Sequence, residues 1–186
     1  QALYGDVDLW CLPVANLDPE AARERQAAGD DVWWYLCTGP KAPHFTLFLD
    51  HYGTEIRLWL WETWKYGLQG ILVWETNYWT SRAAYPAPSL QNPWQDAMSW
   101  TSGYDTGEGV RQPWGNGDGR FFYPPNRDPR DTTTRYPEGP VPSIRWELLR
   151  DGIEDYEYFW LLKTEIERLK TSGADPAVYE AAERLL

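Results

Sequence analysis

The sequence has two cysteines and two histidines, and no run of eighteen apolar residues. Cys11 and Cys37 are too few for a disulfide scaffold and lack metal-ligand spacing; they read as small apolar thiols in neighbouring strands. With only His44 and His51, a histidine-built zinc site is not expected. Nothing reads as a membrane-spanning helix. Basic residues are scarce, 17 Lys and Arg against 28 Asp and Glu, for a net charge of −11. That balance disfavours a nucleic-acid backbone or an anionic membrane as partner. No initiator Met is present, Gln1 leads almost directly into a strand, and Leu186 stops on an apolar helical pattern. Both ends are therefore expected to be cut from a longer chain.

Aromatic residues are abundant instead: 13 Trp and 12 Tyr in 186 residues. Indole offers a large flat face and one N–H donor, which suits a surface that stacks planar ligands or sugar rings. The competing use of the same residues is a Trp-rich core.

The chain is organised around residues 70–79, Gly-Ile-Leu-Val-Trp-Glu-Thr-Asn-Tyr-Trp. Its apolar, β-branched start predicts a buried strand. Its end (Trp74, Glu75, Asn77, Tyr78, Trp79) carries more polar and aromatic chemistry than packing requires. A buried strand opening into such a cluster, then into a long loop, is how α/β enzymes build sites outside the carboxyl ends of parallel strands.

Upstream, residues 6–12 predict a first strand. Asp18 as N-cap, Pro19 at the first helical position and Gly29 past the end predict a helix. Residues 32–37 predict a second strand, and 41–50 a loop or short turn. Ile56, Trp59, Leu60, Thr63 and Trp64 form one stripe of a helix over 54–66, closed by Gly67. Strand, helix, strand, helix, strand implies parallel pairing.

Residues 80–142 show no periodicity and hold ten of the fifteen prolines. Tyr85, Trp94, Trp100, Tyr104, Trp114, Phe121, Phe122 and Tyr123 argue against disorder and for an ordered lid over the third strand. Within it, Gly115, Gly117 and Gly119 alternate with Asn116 and Asp118. This is either a backbone that approaches a ligand closely or a plain Asn-Gly/Asp-Gly hairpin turn. No Lys-Ser/Thr follows, so it is not a phosphate loop. Ser143 caps a helix from Ile144 to about Lys170, and Asp175-Pro176 opens a last one. On the long helix Arg145, Glu147, Arg150, Asp151 and Glu154 read either as a solvated, ion-paired face or with Arg145 or Arg150 bracing Glu75 or Asp118.

Residues 33–40, 64–70, 74–79, 92–94, 115–119, and 143–145 through 150–157, taken in this order, resemble the catalytic domain of glycoside hydrolase family 123 over nearly the whole chain. The resemblance implies a (β/α)8 TIM-type barrel and exo-β-N-acetylgalactosaminidase chemistry. In that chemistry the substrate's 2-acetamido oxygen attacks the anomeric carbon, one of the substrate-assisted exceptions to the two-carboxylate scheme. An adjacent Asp-Glu pair serves it: Asp orients the acetamido group and Glu is the general acid/base. No Asp-Glu dipeptide occurs in these 186 residues.

The resemblance therefore makes the chain the last three or so βα units of the barrel, with the catalytic pair upstream and the fragment inactive alone. The implied partners are an N-acetylhexosamine-containing glycan and the N-terminal part of the same barrel, with no cofactor. The expected sugar contacts are Trp74 and Trp79 as stacking walls, Asn77 and Tyr78 as hydrogen-bonding groups, and Asn116 and Asp118 from the lid. Trp34 and Tyr35 are further candidates, as is Trp10. Alternation on a strand lets only one of Trp33 and Trp34 face the pocket. The rival readings are a two-carboxylate hydrolase using Glu75 and Asp118, a non-catalytic carbohydrate-binding or pseudoenzyme domain, and a structural domain whose aromatics are all core.

Overall fold

A computed structural model describes residues 3–37, 39, 42–79, 91–102, 112–128, 131, 133–135 and 139–186. Three strands, β1 (Leu9–Pro13), β2 (Asp31–Leu36) and β3 (Gly70–Val73), form a parallel sheet in the order β1-β2-β3. Helix α1 (Pro19–Ala27) joins the first two strands and α2 (Thr54–Lys65) the second pair. The protein is thus a mixed α/β structure with a parallel sheet.

Local chemistry sets these elements. The Asp18 carboxylate accepts from the backbone N–H groups of Glu20 and Ala21, and Gly29 ends the segment at φ 98°. These satisfy the orphan donors of the first turn and supply the left-handed residue after the last. The predicted stripe of α2 delivers Ile56, Trp59, Leu60 and Thr63 to the core.

The core lies between this helix layer and one face of the sheet. Val32, Trp34 and Leu36 alternate along β2 and are all buried. Leu47, Phe48 and Thr46 join the buried residues from the connection between β2 and α2. That segment was expected to be loop, and it is, yet it fills the core.

A long helix, α3 (Ile144–Thr171), packs on α2. Ser143 accepts from Trp146 N–H at its start. Gly152 sits where a Cβ would come within 3.2 Å of the Arg57 backbone and 3.1 Å of the Leu60 side chain, so glycine lets the two helices approach. Asp155 then bridges back to Arg57 and accepts from the Trp61 indole at 2.7 Å. Helix α4 (Pro176–Glu183), capped by Asp175, follows. No described helix is long and apolar enough to cross a membrane.

The segment after β3 contains short antiparallel ladders: β4 (Met98–Ser102) with β5 (Gln112–Asn116), and β6 (Phe122–Tyr123) with β7 (Val141–Pro142). Tyr85 and Tyr104, two of the aromatics taken to order the lid, lie outside the described residues.

Candidate functional site

Strand β3 ends at Val73, and the next six residues leave the sheet. Instead of continuing as strand, they are stitched to the glycine-rich turn. Asn77 and Arg120 form an isolated antiparallel bridge. Tyr78 N–H donates to Gly119 O at 2.7 Å, and the Thr76 carbonyl accepts from both Phe121 and Phe122 N–H. Gly117 and Gly119 adopt φ of 76° and 70°, as a turn of left-handed residues requires. The turn carries the chain from β5 into the bridge with Asn77 and on to β6, so the plain-hairpin reading does not hold. A Cβ on Gly119 would lie 2.9 Å from both the Trp74 ring and Tyr78 Cβ. The two aromatics therefore close directly over the backbone, edge to face at 5.1 Å. Trp74 remains 40% exposed.

Two arginines underpin the turn. Arg145, in the first turn of α3, donates to Leu47 O (2.6 Å), Gly117 O (2.8 Å) and Arg120 O (2.5 Å). Arg120 donates to Tyr78 O (2.8 Å), Asp96 O (2.8 Å) and Gln91 Oε1 (2.6 Å). Both are buried, and burial lowers both pKa values. For Arg145, nearby Tyr123 and Asp118 act in the opposite sense. Sequence reasoning left open whether Arg145 or Arg150 reaches inward: Arg145 does, onto main-chain oxygens beside Asp118. Arg150 stays exposed and pairs with Glu147, Asp151 and Glu154, a solvated face. Arg120 was not singled out; a lone cation in the run Gly119-Arg120-Phe121-Phe122 was the available signal.

The expected sugar-binding residues divide. Trp74, Asn77, Tyr78 and Trp79 are brought together at the end of β3. Asn77 is exposed, Tyr78 and Trp79 are half-buried, and the Trp79 indole N–H donates to Phe122 O at 2.8 Å. Tyr35 is half-buried on the sheet face away from α2, as is Trp33, whose ring covers Gly70. Trp34 departs from expectation. It is 2% exposed on the helix-covered face, donates to Thr63 Oγ1 at 2.9 Å, and packs edge-on against Phe45 and Tyr66. Strand alternation, which puts it with Val32 and Leu36, makes it a core residue and leaves Trp33 as the member of the pair on the other face.

Trp10 likewise serves packing: its indole donates to Asp30 Oδ2 at 2.7 Å. The Asn116 amide donates to both Asp50 carboxylate oxygens at 3.0 Å. Asp118 is 1% exposed, beneath the turn rather than projecting from it. A carboxylate so enclosed is closed to a sugar ring, which counts against pairing it with Glu75 in a two-carboxylate hydrolase.

A parallel sheet covered by helices on one face defines an α/β protein, and the half-exposed aromatics and polar groups gathered at the carboxyl end of its edge strand make that end the candidate site. Residues 5–162 match the glycoside hydrolase 123 catalytic domain, and the chain belongs to that family. Among solved structures it is similar to a family 123 glycoside hydrolase from Clostridium perfringens, described for its glycolipid glycan hydrolysis. The TM-score is 0.64 at 19% identity, over 92% of this chain and 25% of that one. The chain thus spans a quarter of that protein, and the likeness speaks to the fold. No curated protein matches the sequence.

Proposed function

We propose that this chain is the closing part, the last three βα units, of a (β/α)8 barrel in an exo-β-N-acetylgalactosaminidase, and that it supplies the sugar-binding side of the pocket. The observation that carries the reading is the half-exposed Trp74–Tyr78 pair held at the end of β3 in a family 123 chain. An indole face there would stack on the apolar C–H face of a pyranose, while Asn77 and Tyr78 would hydrogen-bond ring substituents. Tyr35 would line the same side lower in the sheet. Trp79 contributes ring surface only, since its N–H is engaged by Phe122.

The exposed face of the sheet supports this reading. Parallel sheets are normally covered on both faces, yet Leu9 on β1 and Leu72 on β3 are 43% and 40% exposed. Upstream strands of the same domain would cover them and extend the unpaired edges. The catalytic step would then be shared. The substrate's acetamido oxygen attacks the anomeric carbon, an upstream Asp stabilises the charge developing on the acetamido nitrogen, and an upstream Glu protonates the leaving oxygen. This chain would bind and orient the sugar for that attack and exclude water from one side of it.

The test is hydrolysis of 4-nitrophenyl β-N-acetylgalactosaminide by the intact protein, with the upstream Asp-Glu pair replaced by Asn-Gln as control. Turnover abolished by that replacement supports the reading. Sugar binding without turnover, in a protein whose upstream sequence lacks the pair, would establish a carbohydrate-binding pseudoenzyme instead.

A further inference from the structure

We propose that Arg120 and Arg145 are positioning residues for the sugar-binding wall, two buried guanidiniums in series that fix Trp74 and Tyr78 through the Gly117–Arg120 turn. The inference rests on the reading of Trp74 and Tyr78 as that wall.

The connection runs through consecutive contacts. Arg145 is anchored in the first turn of α3, the helix that packs on α2. Its guanidinium ties three main-chain oxygens: Leu47 from the loop before α2, and Gly117 and Arg120 from the turn. The residue whose carbonyl it holds, Arg120, then reaches with its own side chain to Tyr78 O, Asp96 O and Gln91 Oε1. Gly119, between the two anchored positions, is the backbone against which both Trp74 and Tyr78 rest. Helix start, turn and aromatic pair therefore form one chain of contacts, in which moving the first displaces the last.

The chemistry needs arginine. A planar fork with several N–H donors spans carbonyls from separate segments, which a lysine ammonium cannot do with the same fixed angles. Holding a loop for stability alone would not call for two buried cations, because well-packed apolar side chains serve as well or better in that role. What the pair adds is a defined geometry for a segment with no regular secondary structure of its own, at the place where a flat ligand would have to be met by a correctly angled ring. Neither guanidinium contacts the ligand in this account; both act through Tyr78 and Gly119.

The experiment measures the affinity of the intact protein for N-acetylgalactosamine by titration calorimetry, at a temperature where circular dichroism shows each variant folded. Trp74→Ala, Arg145→Lys, Gly119→Ala and the control Arg150→Ala are compared. Arg145→Lys and Gly119→Ala are expected to weaken binding about 5- to 20-fold and to alter the near-ultraviolet aromatic signal, while Arg150→Ala leaves both unchanged. A fall in melting temperature for Arg145→Lys with affinity unaltered would make the arginines merely structural and overturn the proposal. Should Arg145→Lys fail to fold, Gly119→Ala decides alone: it leaves both arginine side chains in place while disturbing the turn and the aromatics that rest on it, and wild-type affinity there overturns the proposal. Wild-type affinity in Trp74→Ala, or no binding by the unsubstituted protein, would instead remove the wall reading itself, and this inference with it.

Discussion

The two faces of the sheet make different uses of the same residue type. On the helix-covered face Trp34 is enclosed by Thr63, Phe45 and Tyr66, with its N–H bonded and its ring in edge contact on two sides. On the other face and at the strand end, Trp33 and Trp74 lie against glycine backbone and keep part of their surface open. A tryptophan with a bonded N–H and neighbours all round is a packing unit, whereas one laid on a glycine and left half open still has ring surface to offer. Arg145 and Arg150, five residues apart on one helix, repeat the lesson with charge. The first is buried on carbonyls near the site; the second is ion-paired in solvent.

The strongest way to break this contrast is to truncate both members of the tryptophan pair. Trp34→Ala should cost about 3–5 kcal/mol, by emptying a buried volume and orphaning the Thr63 hydroxyl contact. In the 186-residue chain taken by itself, Trp33→Ala should cost markedly less, about 1–2 kcal/mol, because its surroundings there are only half enclosed. Equal losses in a denaturant titration would erase the distinction between the faces.

A smaller effect is expected at the turn. Gly119→Ala puts a Cβ 2.9 Å from Trp74 and Tyr78 in a left-handed residue, so stability should fall by about 1–2 kcal/mol. Gly29→Ala, also left-handed but with nothing within 4 Å, separates the backbone term from the clash. A loss at Gly119 no larger than at Gly29 would mean that the aromatics yield freely.

Acid should weaken the helix layer. The Arg57 guanidinium holds the Asp155 carboxyl below its ordinary range, and the Trp10 indole and Arg25 do the same for Asp30. A carboxylate whose folded pKa is depressed contributes stability above its unfolded value of about 4, and that contribution is lost as pH falls through the folded value. The melting temperature should therefore drop on acidification below about pH 4, and the drop should be shallower in Asp155→Asn. An identical acid profile in that variant would contradict the assignment. Smallest of all, Arg150→Ala should change stability by less than about 0.5 kcal/mol, as its exposed partners imply.

Much of the helix layer was legible because its signals are local. Asp18-Pro19 with Gly29, and the Ile56–Trp64 stripe, each encode an element within a few residues, and the parallel order followed from their alternation. Ser143 and Asp175-Pro176 announced the last two helices in the same way, but the segment 80–142 was opaque because the contacts of its described residues are lateral. Its ladders are short, one has register irregularities, and its turn is held by carbonyl bonds from arginines distant in sequence. For the same reason Trp34 and Trp33 could not be assigned to faces until β2 was placed against α2. Nor could Asp118 be separated from solvent until Arg145 was seen to sit beside it. The cluster at residues 74–79 was visible as unusual chemistry at a strand end; which of its groups stay open depends on the glycine turn that folds back on it.

The most direct test of the central claim is the Michaelis constant of the intact protein and its Trp74→Ala variant on 4-nitrophenyl β-N-acetylgalactosaminide. Loss of a stacking wall should raise KM about tenfold or more, with kcat changed far less. A KM equal to that of the unsubstituted protein would show that the end of β3 does not hold the sugar.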